Sequence, residues 1–258
     1  MPDAPTARLA AIIQELVRSH AAAVPPPRGL PYLGLEHPSG TGFHLLEALA
    51  AHGIFRKYEC VLDLGAGLGG RSRWLAARLG CEVVGTAGLA EAAAGAQLTR
   101  RAGLGEQVRL VPASAYALPF RAARFTHVWI VEALPRLVDA DLALREAHRT
   151  LRRGGTLAIQ DLVLGGAAVT ASVPGWRPAS TEERLAALRR AGFADLEVRD
   201  RTAEAAERAA QVSAAREQLL RRLRAEPALA TFAAEREGLA GLLAAGALHV
   251  VQVLARRP

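Results

Sequence analysis

Lysine is almost missing from this chain: Lys57 is the only one, so arginine carries nearly all of the positive charge. A net charge of +7 can attract nucleic acid, anionic lipid or acidic partners. The arginines, however, are scattered over expected helices in short pairs such as Arg100-Arg101 and Arg152-Arg153, which reads as a solvated Arg/Glu surface. Aromatic residues are scarce too, at 5%, and no basic run carries interleaved aromatics, so no nucleic-acid partner is expected. Two cysteines, Cys60 and Cys81, are too few for a disulfide framework or a thiolate metal site. Each opens an expected strand, and buried free thiols are the reading, with a redox pair as the alternative. The seven histidines are too dispersed for a ligand cluster, and no metal is expected. No apolar run approaches membrane-spanning length, and Met1-Pro2-Asp3 lacks a charged-then-apolar signal pattern. The chain therefore reads as soluble and cytoplasmic, without a membrane span.

What is present is enough apolar sequence, 51% of 258 residues, to bury one substantial core. Leu9, Ile12, Ile13, Leu16 and Val17 form one stripe of a helix over Thr6 to Val24, stopped by Pro25-Pro26-Pro27. A loop with Tyr32 and His37 follows, then a helix from about Gly42 to His52 with Gly53 as its stop. From Cys60 strands and helices alternate, the pattern of parallel βαβ units. The strands are expected at Val61–Leu64, Glu82–Gly85, Val108–Val111, Phe125–Val131, Thr156–Leu164, Leu196–Asp200 and Leu248–Leu254. Gly154-Gly155 reads as the exit of the helix before the fifth strand, and Ser180-Thr181-Glu182-Glu183 as a capping box. The organisation is a helical cap at 1–55, a core at 56–201, a helical lid or interface insertion at 202–246, and a last core strand at 247–258. An insertion this long is expected to cover a site or a partner surface.

Val61-Leu62-Asp63-Leu64-Gly65-Ala66-Gly67-Leu68-Gly69-Gly70 is the strongest signal: an apolar strand runs into glycines and then a helix, so backbone can approach a ligand closely. The spacing also fits a dinucleotide fingerprint, a weak pattern alone, and about 60 residues precede the strand that would open such a domain. Three further pieces follow in order: Tyr116-Ala117-Leu118-Pro119-Phe120, Val131-Glu132-Ala133-Leu134, and Leu144-Arg145-Glu146-Ala147 through Gly154-Gly155. Together they resemble class I S-adenosylmethionine-dependent methyltransferases of the UbiE, glycine/sarcosine and tocopherol methyltransferase type, over roughly residues 30 to 200 and the last strand. The resemblance implies an α/β fold, a doubly wound, seven-stranded, mostly parallel Rossmann-like sheet with N-terminal helices and a helical insertion before the last strand. It implies S-adenosylmethionine as cofactor, with Gly65, Ala66 and Gly67 facing its methionine part and Asp63 organising the loop. Thr86, Ala87, Ser114 and Ala115 would line the ribose and adenine side.

Three acids usual in the family are absent. Ala87 stands where an acid takes both ribose hydroxyls, Ser114 where one holds the adenine amino group, and Thr126 where Phe-Asp is usual. A charge-assisted bond is worth roughly 1.5–3 kcal/mol against about 1 for a neutral one, so the first absence matters most. Thr86 or Glu91 is the available substitute. Two functions stand on this: a methyltransferase acting on a small, partly apolar metabolite, or a methyltransferase-fold protein that does not methylate (a partner of an active paralogue, a binding protein, or other chemistry in the same pocket). On the acceptor side, Glu132 and Asp161, at the ends of the fourth and fifth strands, are catalytic candidates, each with a structural acid as the alternative. His37 is a candidate base or a loop histidine. Tyr32 precedes the core in a segment that folds over the cofactor in the family, and Trp176 either walls an acceptor pocket or anchors its loop. The partners expected are a small-molecule substrate and a second chain, in a homodimer or a heterodimer with another methyltransferase-fold protein.

Overall fold

A computed structural model describes residues 4–21, 30–41, 44–52, 59–166, 173–210 and 214–258. The expected stops at Pro25-Pro26-Pro27 and Gly53, and the expected helix start near Gly42, lie outside these residues. Seven strands form one sheet in the order β3-β2-β1-β4-β5-β7-β6, with β7 antiparallel to both neighbours and the rest parallel. They are β1 (Cys60–Leu64), β2 (Glu82–Ala87), β3 (Val108–Pro112), β4 (Phe125–Val131), β5 (Leu151–Leu164), β6 (Ala194–Asp200) and β7 (Leu248–Arg256). Helices α3 (Gly70–Leu79), α4 (Leu89–Arg101), α5 (Ala140–Thr150) and α6 (Thr181–Arg190) connect them, giving the doubly wound sheet implied above. α1 (Ala4–Ala21) and α2 (His44–His52) precede the sheet, and α7 (Thr202–Ala210), α8 (Ala214–Ala225) and α9 (Ala230–Ala244) lie between β6 and β7.

Two apolar layers sandwich the sheet. β1 is central and buried at every position, as a parallel strand covered on both faces requires. On one face Leu62, Val128 and Ile130 pack with Leu144, Ala147 and Leu188; on the other, Val61, Val83 and Trp129 pack with Leu49, Trp74 and Leu75. The stripe Leu9, Ile12, Ile13, Leu16 and Val17 of α1 is buried with Ala94 and Leu98 of α4, and with Leu219, Leu223 and Leu229 of the insertion. Leu239, Leu242 and Leu243 of α9 close over Leu45, Leu162 and Trp176. The insertion thus folds back onto its own chain.

Of the local boundaries that differ from expectation, two shape the site and its sheet. β2 runs on to Ala87, so that Thr86 and Ala87 are still extended where they reach the site. β5 begins at Leu151, before the glycine pair: Leu151 already has ψ 139, and Gly154 (φ +70) bends the strand while Gly154 N and Gly155 O pair with Arg257. The capping box at Ser180 and Glu183 is present at the start of α6.

Candidate functional site

The turn after β1 is fixed by its backbone. Gly65 has φ +77, and a Cβ there would lie 2.4 Å from the Cβ of Ala133, so only glycine fits. Ala66 N donates to Thr86 O at 2.7 Å, tying the loop to β2, and a Cβ on Gly85 would meet Ala66 Cβ at 2.8 Å. Asp63 is wholly buried behind this turn, not in the crevice: its Oδ2 accepts from Ser72 Oγ at 2.7 Å, so it braces the start of α3 against β1.

A cavity of about 280 Å³ opens in front of the turn, at the carboxyl ends of the parallel strands. Its floor is Gly65, Ala66, Gly67, Leu68, Gly70 and Arg71; one side is Thr86, Ala87, Gly88 and Glu91, with Ala113 and Ala115 beyond. Glu91 Oε2 lies 3.5 Å from where a Cβ on Gly88 would be. The roof is Thr6 and Leu9 of α1 with Glu36, His37 and Pro38. The far wall is Glu132, Ala133, Arg136 and Leu137 after β4, and Phe232, Glu235 and Arg236 of α9.

The roof is held by Arg73, fully buried on α3. It donates to Leu68 O at 2.8 Å and Thr99 Oγ1 at 3.0 Å, pairs with Glu36 at 2.6 Å, and its guanidinium stacks 5.1 Å from the centre of the Tyr32 ring. Glu36 and His37 are thereby placed over the glycine turn.

Glu132 and His37, far apart in sequence, meet here. Glu132 is buried, sits at φ +53, and accepts at Oε1 from Thr41 Oγ1 (2.7 Å) and Gln160 Nε2 (2.9 Å); its Oε2 lies 3.6 Å from His37 Nδ1. Burial raises its pKa, and the hydrogen bonds from Thr41 and Gln160 oppose that rise, with the carboxyl held below its ordinary value. Burial lowers His37 to about 4, against the opposing pull of Glu132, so the imidazole is neutral at pH 7. Its Nε2 lies 3.2 Å from Arg71 Nη1, which fixes the tautomer with the proton on Nδ1, because a guanidinium only donates.

Gly65, Ala66, Gly67, Thr86, Ala87, Ala115, His37 and Glu132 thus line one space. Besides Asp63, four sequence candidates face elsewhere. Asp161 is buried against Arg184 of α6, which donates to it at 2.6 Å; burial pushes it up to about 6 while Arg184 pulls the other way, and it serves as a structural partner. The Tyr32 hydroxyl donates to Leu98 O at 2.8 Å, and the ring supports Arg73. Trp176 lies behind the far wall, donating from Nε1 to Glu235 at 2.9 Å, so it anchors α9. Ser114 is exposed and its Oγ accepts from Tyr116 N at 3.2 Å, leaving Ala113 and Ala115 to face the cavity.

Sequence reasoning passed over Glu36, Arg71, Arg136, Phe232 and Arg236. Phe232 and Arg236 carry a faint signal, a four-residue spacing on one helix face, but nothing local says which face meets the site. Among the described residues no cluster of His, Cys, Asp and Glu could hold a metal ion, and no helix is long and apolar enough to cross a membrane.

Residues 62–159 match the family model described as a methyltransferase domain. Methyltransferase GfsG of Streptomyces halstedii is 34% identical over 151 residues, 54% of this chain and 54% of that protein. Sarcosine/dimethylglycine N-methyltransferase of Halorhodospira halochloris is 33% identical over 102 residues, 39% of this chain and 37% of that protein. The chain thus spans about half or less of the length of these curated relatives. Among solved structures, the (4+2) cyclase SpnF superposes with a TM-score of 0.74 at 22% identity, over 100% of this chain and 97% of that one. A geranyl diphosphate methyltransferase in complex with S-adenosylmethionine superposes with a TM-score of 0.66 at 22% identity, over 83% and 85%.

Proposed function

We propose that this chain, whose core is that of the class I S-adenosylmethionine-dependent methyltransferases, transfers a methyl group to a small, partly apolar metabolite. When bound, the cofactor supplies an electrophilic methyl group on a sulfonium. The cavity fits it. The glycine turn offers bare backbone, and a Cβ on Gly67 would meet nothing within 4 Å. Ala113 and Ala115 leave room for a flat base, and Glu91 brings a carboxylate to the side where Ala87 brings none, suited to a pair of ribose hydroxyls. Arg71 Nε and Glu36 Oε2, both buried and lacking a partner, complement the carboxylate and ammonium of an amino-acid end.

At the far wall Glu132 Oε2 is likewise buried without a hydrogen-bond donor, and it is the atom placed to take a proton from an acceptor group. His37, neutral and donating from Nδ1 to Ser39 Oγ, packs beside that carboxylate. Leu9, Leu137 and Phe232 supply apolar surface for the acceptor, and holding it in line is the larger part of the rate.

The observation that carries this reading is one cavity joining the glycine turn to Glu132. Titration calorimetry with S-adenosylmethionine and S-adenosylhomocysteine tests it: saturable heat is expected, and silence at millimolar ligand ends it. A second reading, other chemistry in the same pocket, draws support from the match along the whole chain to a protein described as a cyclase and from Ala87 in place of an acid. Incubation of a metabolite extract with methyl-labelled cofactor separates the two: label appears in a product under the first reading and stays in the cofactor under the second.

A further inference from the structure

Arg236 is 2% exposed and lies on α9 in the far wall of the cavity. Its Nη1 donates to Phe232 O at 3.1 Å and its Nη2 to Leu35 O at 3.3 Å, while Nε is buried without a partner. No carboxylate among the described residues pairs with it. Glu235, its neighbour in sequence, faces Trp176 at 2.9 Å and Arg136 at 3.4 Å; Glu36 is taken by Arg73 at 2.6 Å. Burial draws the Arg236 guanidinium down to about 10, with Glu235 and Glu36 opposing from a distance and Arg216 and Arg136 adding to the fall.

A buried cation without a counter-ion is costly, and a protein keeps one where a ligand supplies the missing charge. Arg71 is a second such cation in the same cavity, beside the glycine turn, its Nη2 on Gly65 O at 2.9 Å. The cofactor brings one carboxylate. Arg71 borders the glycine turn, while Arg236 lies on α9 with Phe232 and Arg136 beside it, and the two flank His37. We infer that the methyl acceptor carries an oxyanion, a carboxylate or a phosphate, received by Arg236 with Arg136 at the mouth, its apolar part lying on Phe232 and Leu137. This rests on the reading above, in which one cavity takes both cofactor and acceptor.

The test is calorimetry on the full chain with hexanoate, hexyl phosphate and 1-hexanol, with and without S-adenosylhomocysteine, in wild type, Arg236→Met, Arg236→Lys and Arg136→Gln. One of the two anions binds wild type, 1-hexanol does not, Arg236→Met weakens the anion roughly tenfold or more, and Arg236→Lys restores most of it. Arg136→Gln, at a half-exposed position, weakens the anion less and keeps the test open if Arg236→Met does not fold. Whichever anion binds tells carboxylate from phosphate. The inference is overturned if neither anion binds, if hexanol binds equally, if a folded Arg236→Met leaves the anion unchanged, or, where Arg236→Met does not fold, if Arg136→Gln leaves it unchanged. It is also overturned if Arg236→Met weakens S-adenosylhomocysteine but not 5′-methylthioadenosine, which lacks the amino-acid end, for Arg236 then serves the cofactor's carboxylate. Anion binding in a chain that takes no S-adenosylhomocysteine supports the oxyanion site and sinks the cofactor reading instead.

Discussion

Glu91 is the residue proposed above to stand in for the acid missing at position 87. It stands in the first turn of α4, on the cavity, where a carboxylate is available to a diol that Ala87 cannot reach. Glu91→Ala is expected to weaken S-adenosylhomocysteine by about tenfold to a hundredfold in calorimetry, the worth of one or two charge-assisted bonds. His37 makes a different prediction. Its pKa is about 4 in the folded chain against 6.5 ordinarily. Between those values the unfolded chain binds a proton at residue 37 that the native state refuses, so stability rises with pH across this window and is lost as pH falls through it. The contribution reaches about 3 kcal/mol, and urea unfolding at a series of pH values should show a shallower slope between pH 4 and 6.5 in His37→Gln. Single residues were legible in the sequence where backbone demanded them, as at Gly65 and Gly67. Asp161 and Trp176 were not, because which side of a wall a side chain faces depends on Arg184 and Glu235, residues remote in the chain.

The loop over residues 30–41 is the element on which the site depends, and the Arg73–Glu36 pair is the buried ion pair among the contacts that hold it. Arg73 and Glu36 are both buried, so removing the cation strands a carboxylate in the interior. Arg73→Met is expected to lower unfolding free energy by about 3–5 kcal/mol in denaturant titration and to weaken cofactor binding with it. The strands and connecting helices of the core were readable because each carries its own period or apolar run, from Val61-Leu62 to the capping box at Ser180. The start of β5 was not. Gly154-Gly155 looks like a stop from its neighbours alone, whereas Arg257, about a hundred residues later, turns it into a bend within a strand.

Across the whole molecule, α1, the 30–41 loop and α9 roof a cavity whose floor belongs to the sheet. Hydrogen exchange should therefore slow in 30–41 and 230–244 when S-adenosylhomocysteine binds, and much less in β6, which is far from the cavity; equal slowing everywhere would count against a closed roof. The sequence showed the insertion as leucine-rich and suited to a lid or an interface. Leu219, Leu223, Leu229, Leu239, Leu242 and Leu243 are all buried within this chain, so that apolar surface is covered by the chain itself. The position of β7 has a consequence for synthesis. It follows β5 and β6 in the chain, yet it sits between them and pairs with both. Until Leu248 to Arg256 emerges, β6 has no neighbour among the described strands to join and β5 shows an open edge, so a nascent chain stalled before that strand exposes edges ready for wrong pairing.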